Sequence, residues 1–152
     1  MKVYARFAAM IGTSTVVMYG LMYLNTYGWD HVFFSETRVY MALLMGATMA
    51  VIMLSFMLKM HPRRRVNLAI FAGSAVLFAL TLWLVRSQRT VDDVSWMKAM
   101  IPHHSIAILT SERAEIADPR VRALADQIIE SQRREIEEMK TLIDELQAGK
   151  GR

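Results

Sequence analysis

The sequence VYMALLMGATMAVIMLSFML occupies residues 39–58 and contains no charged side chain. An α-helix rises about 1.5 Å per residue, so a stretch of this length covers the hydrocarbon layer of a bilayer, which is about 30 Å thick. Two further charge-free stretches, residues 7–29 and 66–85, are also long enough. The sequence therefore predicts a membrane domain over residues 1–87, with three transmembrane helices at about 5–25, 38–58 and 66–86.

The net charge of the chain is unevenly distributed. The whole chain carries +4, but residues 1–90 carry +7 and residues 91–152 carry −3. The basic excess flanks the predicted spans, chiefly in KMHPRRR at residues 59–65, as is typical of membrane proteins. This distribution argues against nucleic acid as a partner and makes the lipid bilayer the expected one.

The same charges predict an orientation in the membrane. Basic residues precede the first span and join the second to the third, whereas the connection NTYGWDHVFFSET, residues 25–37, has no Lys or Arg. Loops rich in Lys and Arg stay in the cytoplasm. We therefore expect a cytoplasmic N-terminus and a domain over residues 88–152 on the outer side of the membrane. Four aromatic residues would then lie at the outer interface: Tyr23, Tyr27, Trp29 and Trp83.

The region after the spans predicts two antiparallel helices. Thr90-Val-Asp-Asp93 has the form of a capping box, so a helix is expected from about Val91 to Ala117. Asp118 and Pro119 supply the start signal for a second helix, which runs to about Gln147. On that helix the spacings alternate between four and three residues, which predicts a buried seam. The seam comprises Ala125, Ile129, Gln132, Ile136, Met139, Ile143 and Leu146.

Two helices cannot enclose a core by themselves. A second stripe on the first of them would stay in water unless another hairpin covers it. We therefore predict an all-α protein with three transmembrane helices and an extramembrane antiparallel hairpin. The hairpin would form a four-helix bundle by homo-oligomerisation. The stripe comprises Trp96, Met100, His103, Ala107 and Ala114.

The stretch MIPHHSIAI, residues 100–108, places two adjacent histidines on the first helix of the hairpin. Neighbouring helical residues diverge by about 100 degrees, so the two imidazoles point in different directions. A tight turn before Pro119 would set His104 opposite Gln132. Cysteine is absent from the chain, so a soft metal ion could be bound only by Met or His.

The same hairpin geometry brings sulfur to the level of the histidines. It sets Met97 opposite Met139 and places Met100 near Glu135. Thioether and imidazole groups together favour copper as Cu(I), with Cu(II) and Ag(I) as plausible alternatives. The structural alternative is that the histidines pair with carbonyl groups or Glu135 and that the methionines fill the core.

The sequences WMKAMIPHHSIAI and DPRVRALADQIIESQRREIEEM resemble the family of domain of unknown function 305, over residues 92–146. Its CopM-type members are ferritin-like helical proteins of the bacterial periplasm linked to copper handling. The resemblance implies copper ligation by Met100, His103, His104 and Met139, and it places Gln132 and Glu135 in motif positions. Ala99, Thr110 and Leu142 stand where many members have Met, Met and Trp, which favours a weaker site or one completed between chains.

The second span offers a further reading. Methionines recur there every fourth residue from Met41 to Met57 and could pass Cu(I) across the bilayer, but packing beside Ala42, Gly46 and Ala50 is the favoured explanation. The sequence contains no Glu-x-x-His and no nucleophile with a paired base, so we do not expect an enzyme. The expected function is copper sequestration, delivery or resistance, with other copper-handling proteins as partners. The alternative is a membrane scaffold whose hairpin only joins subunits.

Overall fold

The computed structural model describes residues 2–149, and this part of the chain is helical, without a β-strand. It divides into two compact units. Residues 2–22 and 37–90 form the three-helix unit, and residues 23–36 and 91–149 form the hairpin unit. The α-helices are α1 (Lys2–Leu21), α2 (Glu36–Phe56), α3 (Arg64–Ser87), α4 (Asp93–Arg113) and α5 (Pro119–Gly149), and short 3-10 helices lie at Trp29–His31 and Leu58–Met60.

Successive helices of the three-helix unit run antiparallel. The Arg38 guanidinium near the start of α2 donates to the carbonyl of Met22, 2.5 Å away and just past the end of α1. The Tyr4 hydroxyl near the start of α1 donates to Oδ1 of Asn67 near the start of α3, at 2.9 Å. Helices α1 and α3 are therefore parallel, and the three helices, of 20, 21 and 24 residues, extend over similar lengths.

Helix α2 packs through its small residues. Ala42, Gly46 and Ala50 are buried, and a Cβ atom at Gly46 would collide with Oγ1 of Thr15 on α1. The absence of a side chain at Gly46 thus lets the two helices approach closely. The methionine row lies beside this face, with Met41 exposed and the later members partly buried. The predicted small-residue packing face is confirmed.

Two of the described helices, α2 and α3, are long and apolar enough to cross a membrane. In α3 only 6% of the apolar window is buried within the protein, and in α2 only 28%. Helix α1 does not reach the same apolar character, because it contains Arg6 and the polar run Thr13-Ser14-Thr15. Of the three spans that the sequence predicts, two are thus matched by helices of sufficient length and composition.

Helix α4 begins later than its capping box predicts. The N-cap is Asp92, whose carboxylate accepts a hydrogen bond of 2.8 Å from the backbone N–H of Ser95. Thr90 instead lies 3.0 Å from the hydroxyl of Tyr40, in the three-helix unit. Aspartate is among the best N-cap residues, and Thr90 has another partner, so the prediction at Thr90 was wrong.

The turn between α4 and α5 is partly as predicted. Helix α4 ends at Arg113 rather than Ala117, and Ala114 is already extended. Helix α5 begins at Pro119 as expected, with the carboxylate of Asp118 accepting from the backbone N–H of Arg120 at 2.8 Å. The residue before a proline disfavours the helical conformation, which accounts for the non-helical residues before Pro119.

The core of the hairpin unit lies between α4 and α5. Most of the predicted seam is confirmed, and only its last member, Leu146, is exposed. Helix α4 begins at Asp93, so by the hairpin register no residue of α4 stands opposite Leu146. The buried cluster comprises Met97, Ile101, Ile108, Ile136, Met139 and Ile143, with Phe33, Val94, Met100 and Ile129 packed against it.

The hairpin unit also includes residues 23–36, the connection between α1 and α2, which we call the strap. The sequence interpretation assigned this segment to the membrane domain. In the structure Phe33 packs against the hairpin core, and the 3-10 helix Trp29–His31 contacts α4. Part of the hairpin core is therefore covered by the strap of the same chain.

Candidate metal centre

Helix α4 presents its two histidines differently. It continues through Pro102, which is buried, and the next two residues are His103, exposed, and His104, partly buried. Their ring centroids lie 6.3 Å apart, and the rings are steeply inclined to each other. The divergence expected of neighbouring helical residues is thus observed. His104 lies within the hairpin, whereas His103 is open to solvent.

The partner of His104 across the hairpin is Glu135. Its Nδ1 lies 3.2 Å from Oε2 of Glu135, within the range of an ion pair. The two atoms do not form a hydrogen bond, and this buried nitrogen has no hydrogen-bond partner among residues 2–149. Burial lowers the pKa of His104 below its ordinary value of 6.5; Glu135 opposes that shift, and His103 adds to it. The imidazole is therefore neutral at pH 7, the form that binds metal ions.

The Glu135 carboxylate is held by its own helix. Oε1 accepts a hydrogen bond of 2.7 Å from the Ser131 hydroxyl, and the Gln132 amide lies 3.4 Å from Oε2. Gln132, which the sequence predicts opposite His104, lies three residues before Glu135 on the same face of α5. The predicted stripe of α5 thus faces His104, but with Glu135 as the residue in contact.

Two thioethers lie in the buried core beside this pair. Met97 is 4% exposed and Met139 is 6% exposed, and both belong to the cluster that joins α4 to α5. Met100 is partly buried and packs against the same cluster. Residues four apart are neighbours on a helix surface, so Met100 adjoins His104 and Met139 adjoins Glu135.

The structure therefore brings together most, though not all, of the residues singled out from sequence. His104 and Glu135 meet across the hairpin, and Met100 and Met139 each lie one helical turn from them, in or against the core cluster that also contains Met97. His103 is on the outside of this group. Among the described residues, no three His, Asp or Glu side chains lie close enough to hold a metal ion. A site here would thus depend on thioether sulfur as well as imidazole nitrogen.

The strap is anchored next to these residues, which sequence reasoning missed. The buried hydroxyl of Ser105 accepts from the backbone N–H of Tyr27 at 2.6 Å and lies 2.9 Å from Nδ1 of His31. Ser105 is 0% exposed and directly follows His104. The available signal was the cluster of aromatic residues and His31 in the α1–α2 connection, which has no helical or strand periodicity.

Charged contacts on α5 also hold the strap. Lys140 donates to Asp30 at 2.7 Å, and Arg133 donates to the hydroxyl of Tyr27 at 3.2 Å and to Glu112 of α4 at 2.6 Å. The hydrogen bond from Lys140 lowers the pKa of Asp30. The strap is thereby tied to both helices of the hairpin.

Replacing Ser105 by Ala should loosen the strap. The change leaves the N–H of Tyr27 and a nitrogen of His31 without this partner, and a lost hydrogen bond of this kind costs about 1–3 kcal/mol. Amide hydrogen exchange of the full-length protein should show faster exchange over residues 23–36. Thr110→Ala is the matched control, because the Thr110 hydroxyl bonds only within α4 in the structure. Unchanged protection of the strap in Ser105→Ala would contradict this assignment.

The hairpin unit should lose stability as the pH falls below about 6.5. Burial lowers the pKa of His31, and Lys140 and Arg133 reinforce this shift, while Asp30 and Glu137 oppose it. As the pH falls, the unfolded chain therefore protonates His31 before the folded protein does. The free energy of unfolding is highest above pH 6.5 and decreases as the pH falls toward the lower pKa of His31 in the folded state. His104 acts in the same direction.

Hydrogen exchange of the strap and hairpin between pH 7 and pH 5 measures this dependence. Asp30 does not interfere, because its pKa lies below its ordinary value of 3.8. His31→Gln should reduce the dependence and leave the part due to His104. An identical pH dependence in His31→Gln and the unchanged protein would rule out the contribution of His31.

Comparison with known proteins places the hairpin in a family. The model of the domain of unknown function DUF305 matches residues 84–149. The uncharacterized protein L153 of Acanthamoeba polyphaga mimivirus is 35% identical over 108 residues, which cover 70% of this chain and 69% of that protein. No solved structure matches the chain significantly. The aligned length exceeds that of α4 and α5, so the likeness to the viral protein also reaches other parts of the chain.

Proposed function

We propose that this chain, which belongs to the DUF305 family, binds copper in its hairpin unit and sequesters it or delivers it to other copper-handling proteins. The observation that carries the proposal is the buried Nδ1 of His104, which has no hydrogen-bond partner among the described residues. It faces Oε2 of Glu135 at 3.2 Å without forming a hydrogen bond, and a buried atom without a hydrogen bond costs free energy unless a ligand satisfies it. A metal ion between α4 and α5 would do so.

The donor set favours a soft ion. His104 would supply imidazole nitrogen, and Met100 and Met139 would supply thioether sulfur, which together suit Cu(I) and its analogue Ag(I). Met97 and Glu135 flank these ligands. A carboxylate so close to the imidazole would also support Cu(II), so Glu135 is the residue through which the site would tolerate the oxidised ion.

His103 has a different place in this proposal. It is exposed on α4 and cannot share the interior of the hairpin with His104. It is available to a second subunit, or to a protein that receives the ion. A site that two hairpins complete would thus use His104 from inside and His103 from outside.

The protein would be anchored in a membrane by the three-helix unit. Helices α2 and α3 have the required length and composition. Helix α1 runs antiparallel to α2, with Thr15 against Gly46 and Phe7 clustered with Ala50 and Leu54, so it would cross the same layer as a third span. The strap and the hairpin belong to one unit, so both must lie on one side of the membrane. The positive-inside rule makes that the periplasmic side of a bacterial inner membrane, with the N-terminus in the cytoplasm.

We expect the hairpins to associate with each other. Leu124 and Leu142 are exposed on α5 and lie 18 residues apart, about five helical turns, so they share a face. Val121 and Leu146 are also exposed, near the two ends of α5, and Trp96 is exposed on α4. Two hairpins that bury these apolar side chains would form the four-helix bundle of a homo-oligomer.

Replacing Leu124 and Leu142 together by Glu should dissociate the oligomer. Burying two carboxylates in an apolar interface is unfavourable, so the subunits would separate. Light scattering of the detergent-solubilised protein gives the mass. Glu145→Gln, at an exposed position of α5, is the control and should keep the oligomer. A mass that is the same in all three proteins would place the contact elsewhere.

The experiment that tests the proposed function is a Cu(I) titration of the purified full-length His61→Asn variant against a chelator of known affinity, so that the buried imidazole of the three-helix unit does not contribute. The full chain is needed because the strap, residues 23–36, is part of the hairpin unit. Uptake of copper in competition with the chelator supports the proposal. Oligomers that take up no copper would instead support a membrane scaffold whose hairpin only joins subunits.

A further inference from the structure

The connection between α2 and α3 contains a histidine that is almost wholly buried. His61 is 1% exposed, and its carbonyl accepts a hydrogen bond of 2.8 Å from the Asn67 amide of α3. Its ring lies edge-on to the rings of Tyr4 and Phe7 on α1, with centroids 4.9 and 5.4 Å away. The imidazole is therefore fixed by contacts from more than one helix.

One nitrogen of this ring is left without a partner. Nδ1 lies 2.9 Å from the carbonyl oxygen of Met57, and a carbonyl only accepts, so Nδ1 carries the hydrogen. In the neutral ring Nε2 then holds the lone pair. Nε2 is buried and has no hydrogen-bond partner within the described part of the chain. A buried lone pair of this kind is unfavourable unless something binds it.

Two methionines contact the surroundings of this ring. Met57, whose backbone carbonyl accepts from Nδ1, is partly buried just after the end of α2. Met53 packs against the cluster of Phe7, Ala50 and Leu54, and Phe7 also contacts the His61 ring. Neutral imidazole and thioether groups are ligands for soft metal ions.

The surrounding charge favours a monovalent ion. Residues 2–22 and 37–90, which form the three-helix unit, contain no Asp or Glu. Lys59 and the run Arg63-Arg64-Arg65 flank His61 in the sequence. These positive charges would repel a divalent cation about twice as strongly as a monovalent one, and this unit has no carboxylate to offset the repulsion. A monovalent soft cation is the species that both the charge and the donors allow.

We propose that Nε2 of His61 binds a monovalent soft cation, Cu(I) in the cell, with a thioether of Met53 or Met57 as the second ligand. This site lies in the three-helix unit and shares no residue with the hairpin site. It is a fixed site at one end of the unit and does not require that the ion move along the methionine row of α2. The protein would thus hold soft cations in both of its units.

The test uses Ag(I), which has the ligand preferences of Cu(I) but does not change oxidation state under these conditions. The full-length protein carries four histidines, and His103→Ala with His104→Ala leaves only His31 and His61. Nitrogen NMR of this variant, labelled with ¹⁵N in histidine, should show a large shift of the His61 Nε2 signal on addition of Ag(I). The Nδ1 proton should remain. His31→Gln in the same background assigns the two rings.

A second measurement identifies the sulfur. Met53→Leu with Met57→Leu should weaken Ag(I) binding in the same background by about tenfold or more. Met41→Leu, at the other end of α2, is the matched control and should not change it. If the His61 Nε2 signal does not shift on addition of Ag(I), the proposal is wrong. In the protein that keeps His103 and His104, a His61 shift on addition of Ag(I) without any shift of the His103 or His104 signals would instead refute the proposed function and leave this site standing.

Discussion

The His104→Ala variant is expected to bind Cu(I) at least about 100-fold more weakly than the unchanged protein, because it removes the nitrogen ligand inside the hairpin. Adding His103→Ala should abolish tight uptake in the hairpin, since no imidazole then remains on this part of α4. The affinity is measured by competition with a Cu(I) chelator, using full-length protein in the His61→Asn background so that only the hairpin site contributes.

His31→Gln is the matched control for this loss. His31 belongs to the same unit and is also partly buried, but it binds Ser105 on the side of the strap. Its replacement should leave the copper affinity nearly unchanged. This control therefore shows whether the loss in His104→Ala comes from a missing ligand or from a general disturbance of the unit. Uptake by the hairpin that survives both His103→Ala and His104→Ala would show that the ligands were wrongly assigned.

Ile136→Ala should give the largest loss of stability in the hairpin unit. Ile136 is 1% exposed at the centre of the cluster between α4 and α5. Truncating such a side chain removes apolar burial and leaves a cavity, which together cost about 2–5 kcal/mol. The free energy of local opening, from amide hydrogen exchange in α4 and α5, measures this loss.

The same variant should also weaken the copper site. Ile136 adjoins Glu135 in sequence and packs in the cluster that contains Met97 and Met139, so loosening it moves ligands of both helices. Glu145→Ala, at an exposed position of α5, is the control and should change the local stability by less than about 0.5 kcal/mol. Equal effects of Ile136→Ala and Glu145→Ala would mean that the core does not lie where the structure places it.

The parts of the fold that the sequence predicted are those with local signals. Asp118 and Pro119 start α5 because a cap and a preset backbone angle act within a few residues. The buried seam follows from helical periodicity alone. The start of α4 was wrong by a residue or two, because both Thr90 and Asp92 can cap a helix and only the structure shows that Thr90 lies against Tyr40.

The strap could not be predicted in this way. Residues 23–36 have no periodic pattern, and their aromatic residues are typical of a membrane interface. Their place in the hairpin unit depends on contacts far apart in sequence, such as Tyr27 with Ser105 and Asp30 with Lys140. Tertiary contacts of this kind cannot be detected from a local sequence pattern.

The sequence predicted which helical face carries the candidate site, but not which side-chain atoms are in contact there. Spacing places Gln132, Glu135 and Met139 on one stripe facing His104. Which of them touches the imidazole depends on side-chain conformation, and the hydrogen bonds from Ser131 and Gln132 fix Glu135 there. The orphaned Nδ1 of His104 likewise becomes visible only in three dimensions.

X-ray absorption spectroscopy of the Cu(I)-loaded protein tests the central claim most directly, because it reports the atoms bound to copper. The measurement is best made on the His61→Asn variant, so that only the hairpin site contributes. We expect imidazole nitrogen and thioether sulfur in the same coordination shell, with the sulfur contribution reduced by Met100→Leu or Met139→Leu. Copper surrounded only by nitrogen and oxygen would contradict a site built between α4 and α5.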